Sequence, residues 1–130
     1  MIRKIGVSCN NQDVFAIDIW RGTLSATILT WGAVVQDLRL AWHGPPLVLG
    51  FKKFKYYPRY SPYFGAIVGR YANRINHGQA TIADCPHQFD TNFLGKHCLH
   101  GGKMGYGVRD WVLSDHAHNF VELHLSCSQA

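Results

Sequence analysis

Apolar residues in this chain come in short runs of strand length, and glycine, proline or asparagine interrupts the chain between them. In residues 14–20 ("VFAIDIW"), Phe15, Ile17 and Ile19 share one side, which is the two-residue period of a half-buried strand. Comparable runs cover 24–31, 33–42, 45–51, 63–69 and 119–126. No stretch of a dozen residues shows a convincing helical period. The spacing predicts an all-β fold, an antiparallel β-sandwich or antiparallel sheet system, in one domain.

Composition fits a folded domain and restricts the class of partner. Of 130 residues, 47% are hydrophobic and 16% charged, which is enough for a packed core and excludes disorder. The net charge of +5 allows contact with anions but does not require it. We expect no membrane span, because nowhere do eighteen or so apolar residues run together. The four cysteines form no CxxC pair, so they indicate free thiols and a cytoplasmic location.

Residues 52–60 ("KKFKYYPRY") interleave basic and aromatic residues, as a surface that binds single-stranded nucleic acid would. The alternative is a loop whose rings pack against the sheet. Pro58 and Pro62 favour that alternative, because they are typical of connecting segments. We therefore predict no nucleic-acid partner.

Residues 68–78 ("VGRYANRINHG") place two arginines four apart after an apolar run. A guanidinium offers a rigid fork of donors for carboxylates, phosphates or vicinal hydroxyls, and an asparagine adds a donor and an acceptor. Asn73 and Arg74 are therefore candidates to hold a polar ligand. For Arg70 we favour a structural role, in which it binds the backbone carbonyls of a neighbouring turn.

Residues 95–102 ("GKHCLHGG") admit three interpretations. A zinc site would use His97, Cys98 and His100, with Cys85 and His87, but these lack the paired ligand spacing of such sites, so we predict no metal. An anion site on Gly101 and Gly102 lacks a following helix. A histidine held by glycine turns suits proton transfer or hydrogen bonding to a polar substrate; the alternative is a histidine that only bonds backbone.

The order of these segments resembles the aldose 1-epimerases, or galactose mutarotases. The resemblance is carried by "LTWGAVVQDLRL", "LVLGF", "SPYFGAIVGRYANRI", "NFLGKHCLHGG" and "GVRDW", in the family's order. It implies a large antiparallel β-sandwich, of which this chain resembles the N-terminal part, over residues 1–125. Residues 126–130 are predicted to be a tail that does not match.

The resemblance implies an isomerase that interconverts the α and β anomers of free hexoses such as galactose or glucose, without a cofactor. It also implies that Asn73 and Arg74 bind the sugar and that His100 lies near the ring oxygen and assists its protonation. The family's second histidine, its general acid, and its glutamate base fall beyond the matching segments. We therefore expect the chain alone to be inactive.

Two further expectations follow from the differences between this sequence and the family's pattern. Residues 78–90 ("GQATIADCPHQFD") lack the Asp-Gly or Asn-Gly turn usual for a hairpin of the family, which disfavours a tight hairpin here. A partial sandwich would leave sheet faces uncovered, which predicts self-association. The alternative functions are a non-catalytic carbohydrate-binding β-domain and, less favoured, a single-strand nucleic-acid binder.

Overall fold

Four antiparallel strands form the main sheet of this computed structural model, which describes residues 1–127. They are β1 (Ile2–Val7), β2 (Asp13–Arg21), β3 (Leu24–Leu29) and β4 (Val35–Leu40), and they lie in the order β1-β2-β3-β4. The two-residue period predicted β2, but the side that enters the core carries Val14 and Ala16, opposite to the predicted side of Phe15, Ile17 and Ile19, of which Ile17 alone is buried. The strands β2 and β3 pair from Ala16 with Leu29 to Arg21 with Leu24, which leaves Gly22 and Thr23 in the turn.

The core lies on one face of this sheet. It consists of buried side chains from β2, β3 and the segments that follow: Val14, Ala16, Leu29, Trp31, Val34, Phe54 and Tyr57. Trp31 and Phe54 meet edge to face, with ring centroids 5.6 Å apart. Phe54 thus packs in one core with Trp31 and with Val14, Ala16 and Leu29 of the sheet, as predicted for a segment whose rings pack against the sheet.

Residues 52–60 contain the single α-helix found within residues 1–127, α1 (Tyr56–Tyr60). Tyr57 is fully buried, and its hydroxyl oxygen accepts a hydrogen bond from the Phe51 N–H at 3.0 Å. Because Phe54 and Tyr57 both lie in the core, their rings are not available to stack on bases.

Within residues 1–127, three two-stranded antiparallel ladders accompany this sheet. They are β5 (Arg74–Ile75) with β8 (Cys98–Leu99), β6 (Gln79–Ile82) with β7 (Cys85–Gln88), and β9 (Val112–His116) with β10 (Val121–His124). Single 3₁₀ turns cover Asn76–Gly78 and Tyr106–Val108. The predicted all-β antiparallel class is confirmed.

Two predicted strands are wrong. Residues 45–51 and 63–69 are apolar, but both run as turns and irregular chain beside β4. Each makes isolated backbone bonds to β4, from the Leu47 N–H to the Leu38 carbonyl at 2.9 Å and from the Val35 N–H to the Gly65 carbonyl at 2.8 Å. Pro45 and Pro46 remove donors from the first segment, and Gly65 has φ of +66°, which turns the second away from a ladder.

The hairpin disfavoured by sequence does form. Ile82 pairs with Cys85, so Ala83 and Asp84 alone make the turn. Their φ angles are +47° and +61°, as the two central positions of a type I′ turn require. An alanine therefore occupies a conformation that glycine usually supplies, which is why the residue pattern did not indicate the turn.

Three further observations concern the whole chain. Among residues 1–127, no helix is long and apolar enough to cross a membrane. All four cysteines are free thiols. Of the predicted tail at 126–130, residues 128–130 lie outside the described residues.

Candidate functional site

Asn73 and His100 face each other at one end of the β5–β8 ladder. Arg74 pairs with Leu99, so in an antiparallel register the residue before Arg74 meets the residue after Leu99. The His100 N–H donates to the Asn73 carbonyl at 3.0 Å, and the Asn73 N–H donates to Nδ1 of the His100 ring, also at 3.0 Å. Both residues have left-handed backbone, with φ of +58° and +50°. Two hydrogen bonds therefore join these residues, one between their backbones and one that holds the His100 ring on the Asn73 N–H.

This geometry determines which ring nitrogen of His100 carries the proton. A backbone N–H can only donate, so Nδ1 is the acceptor and the neutral ring is protonated at Nε2. Burial, and then the positive charge of Arg74, lower the pKa of His100 below its ordinary value of 6.5. The ring is therefore neutral near pH 7, with an N–H donor at Nε2. No group within residues 1–127 hydrogen-bonds to that nitrogen.

Arg74 lies beside the histidine and is held at two points. Its Nη1 donates to the Asn73 side-chain oxygen at 3.1 Å, and its guanidinium lies over the Phe93 ring, 4.6 Å from the centroid. A cation over an aromatic face is held electrostatically while its other N–H donors stay available. Asn73 and Arg74 are exposed, whereas His100 is half-buried. The three residues singled out by sequence thus form one cluster, which we call the Asn73–Arg74–His100 cluster.

Sequence reasoning missed the residues that support the His100 ring. Tyr63 packs edge-on against it, with ring centroids 4.7 Å apart. The Asn92 side chain bonds both backbone groups of Leu99, the residue before His100. These contacts join positions far apart in the chain, so no local spacing indicates them. The one available signal was an asparagine within the turn-rich loop that leads to "CLHGG".

The glycine pair allows the loop to approach its neighbours closely, and it does not form an anion site. Gly101 has φ of +88°, and a Cβ atom there would overlap the carbonyl oxygen of Gly69. The Gly102 N–H already donates to the Leu99 carbonyl at 3.1 Å. A donor used in this way is not free to bind an anion.

The other candidates of this region take structural roles. His97 lies outside the cluster, where its Nδ1 accepts a hydrogen bond from the His77 N–H at 3.1 Å. Within residues 1–127, no group of three or more His, Cys, Asp or Glu side chains is placed to hold a metal ion. Arg70 donates to the Tyr106 hydroxyl at 3.4 Å, so the predicted bond to backbone carbonyls is wrong.

Comparison with known proteins relates this geometry to a family. The family model described as Aldose 1-epimerase matches residues 16–129. The chain is 36% identical over 92 residues to galactose mutarotase of Mus musculus, covering 68% of this chain and 27% of that protein. It is 42% identical over 95 residues to aldose 1-epimerase of Haemophilus influenzae, covering 72% of this chain and 27% of that protein.

Solved structures show the same fold. A GalM/aldose epimerase homologue from C. elegans superposes with a TM-score of 0.74 at 33% identity, over 83% of this chain and 34% of that one. A galactose 1-epimerase from Lactobacillus acidophilus gives a TM-score of 0.72 at 23% identity, over 88% of this chain and 33% of that one, which bears on the fold alone. The predicted galactose mutarotase-like sandwich is confirmed.

The chain spans about a quarter of the length of the two curated relatives named above. The family match nevertheless covers most of its residues, including the whole Asn73–Arg74–His100 cluster. On this match, the chain belongs to the aldose 1-epimerase family.

Proposed function

We propose that this chain forms the sugar-positioning part of an aldose 1-epimerase site for free hexoses of the galactose or glucose type. The observation that carries the proposal is the pair of hydrogen bonds between Asn73 and His100, which directs a neutral Nε2–H away from the backbone beside the Arg74 guanidinium. Family membership supplies the substrate class. The geometry supplies donors suited to sugar oxygens.

The reaction defines what each residue does. Mutarotation breaks the bond between C1 and the ring oxygen as the anomeric hydroxyl loses its proton and becomes the aldehyde oxygen. The ring oxygen gains a proton, the aldehyde rotates, and the ring closes again by attack of that oxygen on the other face of the aldehyde carbon. In this scheme the His100 Nε2–H hydrogen-bonds the ring oxygen as charge develops there, and Arg74 holds sugar hydroxyls.

Asn73 has a supporting part in this arrangement. Its backbone N–H orients the imidazole, and its side-chain oxygen orients the guanidinium. One residue therefore sets the spacing between the two donors, which suits recognition of neighbouring oxygens on a sugar.

The cluster supplies donors but no base. The groups that shift the pKa of His100 are its own burial and Arg74, and neither brings a carboxylate. The hydrogen bonds made by Asn73, Arg74 and His100 within residues 1–127 include no carboxylate either. We therefore expect the isolated chain to bind hexose without turning it over, which is also what a non-catalytic carbohydrate-binding domain would do.

Polarimetry and ligand-detected NMR test the proposal together. With fresh α-D-galactose, the chain should leave the rate of optical change at the buffer value, while saturation-transfer NMR should show saturable millimolar binding. Arg74→Ala and His100→Ala should weaken binding, and His97→Ala, which changes a nearby histidine outside the cluster, should not. Absence of saturable binding would refute sugar positioning. A rate above buffer that His100→Ala abolishes would refute the predicted inactivity.

Two expectations about the surroundings of the chain stay predictions. A cytoplasmic location rests on the four free thiols. Self-association rests on large apolar side chains at the surface, such as Trp20 and Trp42, which are 50% and 91% exposed. Sedimentation velocity over a range of concentrations would test the second.

A further inference from the structure

Asn92 makes an unusual set of contacts for a loop asparagine. It lies half-buried between β7 and β8. Its Oδ1 accepts from the Leu99 N–H at 2.8 Å, and its Nδ2 donates to the Leu99 carbonyl at 2.9 Å. The carboxamide thus pairs with one residue as a neighbouring strand would.

This pairing stabilises a ladder that is very short. Strand β8 has two residues, and Leu99 is almost fully buried, so its backbone groups need partners inside the protein. On the other side, the His100 N–H bonds the Asn73 carbonyl. Leu99 and His100 are therefore held from opposite sides, by Asn92 and Asn73.

A second contact links Asn92 to the His100 ring. Its Nδ2 lies 3.4 Å from the Tyr63 hydroxyl, and the Tyr63 ring packs against the imidazole with centroids 4.7 Å apart. Tyr63 is part-buried, and burial raises the pKa of its hydroxyl, which keeps it neutral and able to share a hydrogen bond. Asn92 therefore reaches His100 by two routes, through the Leu99 backbone and through Tyr63.

We propose that Asn92 is a positioning residue for the candidate site, one that fixes the imidazole of His100 with Nδ1 on the Asn73 N–H and Nε2–H toward the ligand. The inference rests on the proposed function for the role of His100 toward sugar. The orientation of the ring does not depend on that function.

The orientation of the ring can be measured without a ligand. In the intact chain, long-range ¹H–¹⁵N NMR of the histidine side chains should show His100 neutral, with Nδ1 unprotonated and Nε2 protonated. In Asn92→Ala, both bonds to Leu99 are lost, so the ring should populate both tautomers and its pKa should move back toward 6.5. A loss of folding stability in Asn92→Ala with the tautomer unchanged would show that Asn92 stabilises the loop without orienting the ring.

Galactose binding gives the second readout. Asn92→Ala should let His100 lose its hydrogen bond to the sugar, and since one lost hydrogen bond weakens binding by about 5-fold, galactose binding should weaken by about that factor. Asn92→Asp keeps the acceptor for the Leu99 N–H but sets a carboxylate oxygen against the Leu99 carbonyl oxygen, so it should weaken binding at least as much as Asn92→Ala. Tyr63→Phe removes the hydroxyl alone and should produce a smaller loss. Asn119→Ala, in the exposed β9–β10 turn, is the matched control and should match the parent in both readouts.

The outcomes separate the two proposals. If Asn92→Ala, or Asn92→Asp where the alanine variant is unfolded by circular dichroism, retains the Nε2–H tautomer and parental binding, the positioning role is overturned and the proposed function stands. If the parent binds no sugar while Asn92→Ala changes the tautomer, the proposed function fails and the positioning of His100 stands.

Discussion

Replacing Gly101 by alanine should open the candidate site. A methyl group there would overlap the Gly69 carbonyl oxygen and lie 2.9 Å from the Arg70 backbone nitrogen. Since non-bonded carbon contacts are optimal near about 3.5–4.0 Å, residues 100–101 must move away from residues 69–70. Neither neighbour is a flexible side-chain end, so the movement falls on backbone.

The cost can be worked from what this movement breaks. The loop holds the two Asn73–His100 hydrogen bonds, worth about 1 kcal/mol each. Alanine in the left-handed region adds about 1 kcal/mol. The total is about 3 kcal/mol. Gly95→Ala is the matched control, because Gly95 also has positive φ, +63°, but a Cβ atom added there would meet no other atom within 4 Å.

Urea unfolding followed by circular dichroism measures the difference. Gly95→Ala should lose about 1 kcal/mol, and Gly101→Ala about 2 kcal/mol more. With an m-value of about 1.5 kcal/mol/M, the two midpoints should differ by about 1.3 M. Equal midpoints for the two variants would show that the contact with Gly69 does not constrain the loop, and the close-approach argument would be refuted.

Three further predictions concern His100, Arg74 and the core. The pKa of His100 is lowered in the folded chain, so as pH falls the histidine is protonated in the unfolded chain first. The neutral His100 ring therefore favours the folded state above pH 6.5, and this contribution is lost as pH falls toward the folded pKa. Urea midpoints should therefore decline less between pH 7.5 and 5 in His100→Gln than in the parent, and equal declines would contradict this. Arg74→Ala should raise the pKa of His100 in an NMR titration, because it removes a positive charge; an unchanged or lower pKa would contradict the cause assigned. Tyr57→Phe should cost about 1–3 kcal/mol in urea unfolding, because the Phe51 N–H loses its acceptor, and a loss below about 0.5 kcal/mol would mean that N–H finds another partner.

The two-residue period predicted the strand β2 but not the face that enters the core. Phe15, Ile17 and Ile19 share the predicted apolar side, whereas Val14 and Ala16, on the opposite side, belong to the core. The period could not choose between the two faces, because apolar residues occupy both. The strand predicted at residues 45–51 is absent because an apolar run forms a strand only when its backbone can pair. Pro45 and Pro46 have no N–H to donate, and Leu49 is 72% exposed. The prediction against a tight turn at Ala83 and Asp84 was wrong because the paired strands set the backbone conformation there, and not the preferences of those two residues.

Some residues of the candidate site were predicted from the sequence, and others were found only in the structure. Asn73 and Arg74 were candidates from their residue pattern, and the family resemblance selected His100; the structure brings the three together through one short ladder. Tyr63 and Asn92 carry no motif, because each acts through a contact with a segment distant in sequence. Which side chains orient a histidine depends on contacts between distant segments, so these residues can be identified only from the folded structure.

Amide mapping by ¹H–¹⁵N NMR during a galactose titration tests the central claim most directly. We predict saturable shifts centred on the amides of Asn73, Arg74 and His100, with smaller ones at Asn92 and Tyr63, and no comparable shifts in His100→Ala. Shifts that are absent, or that centre on residues 52–60, would contradict the account.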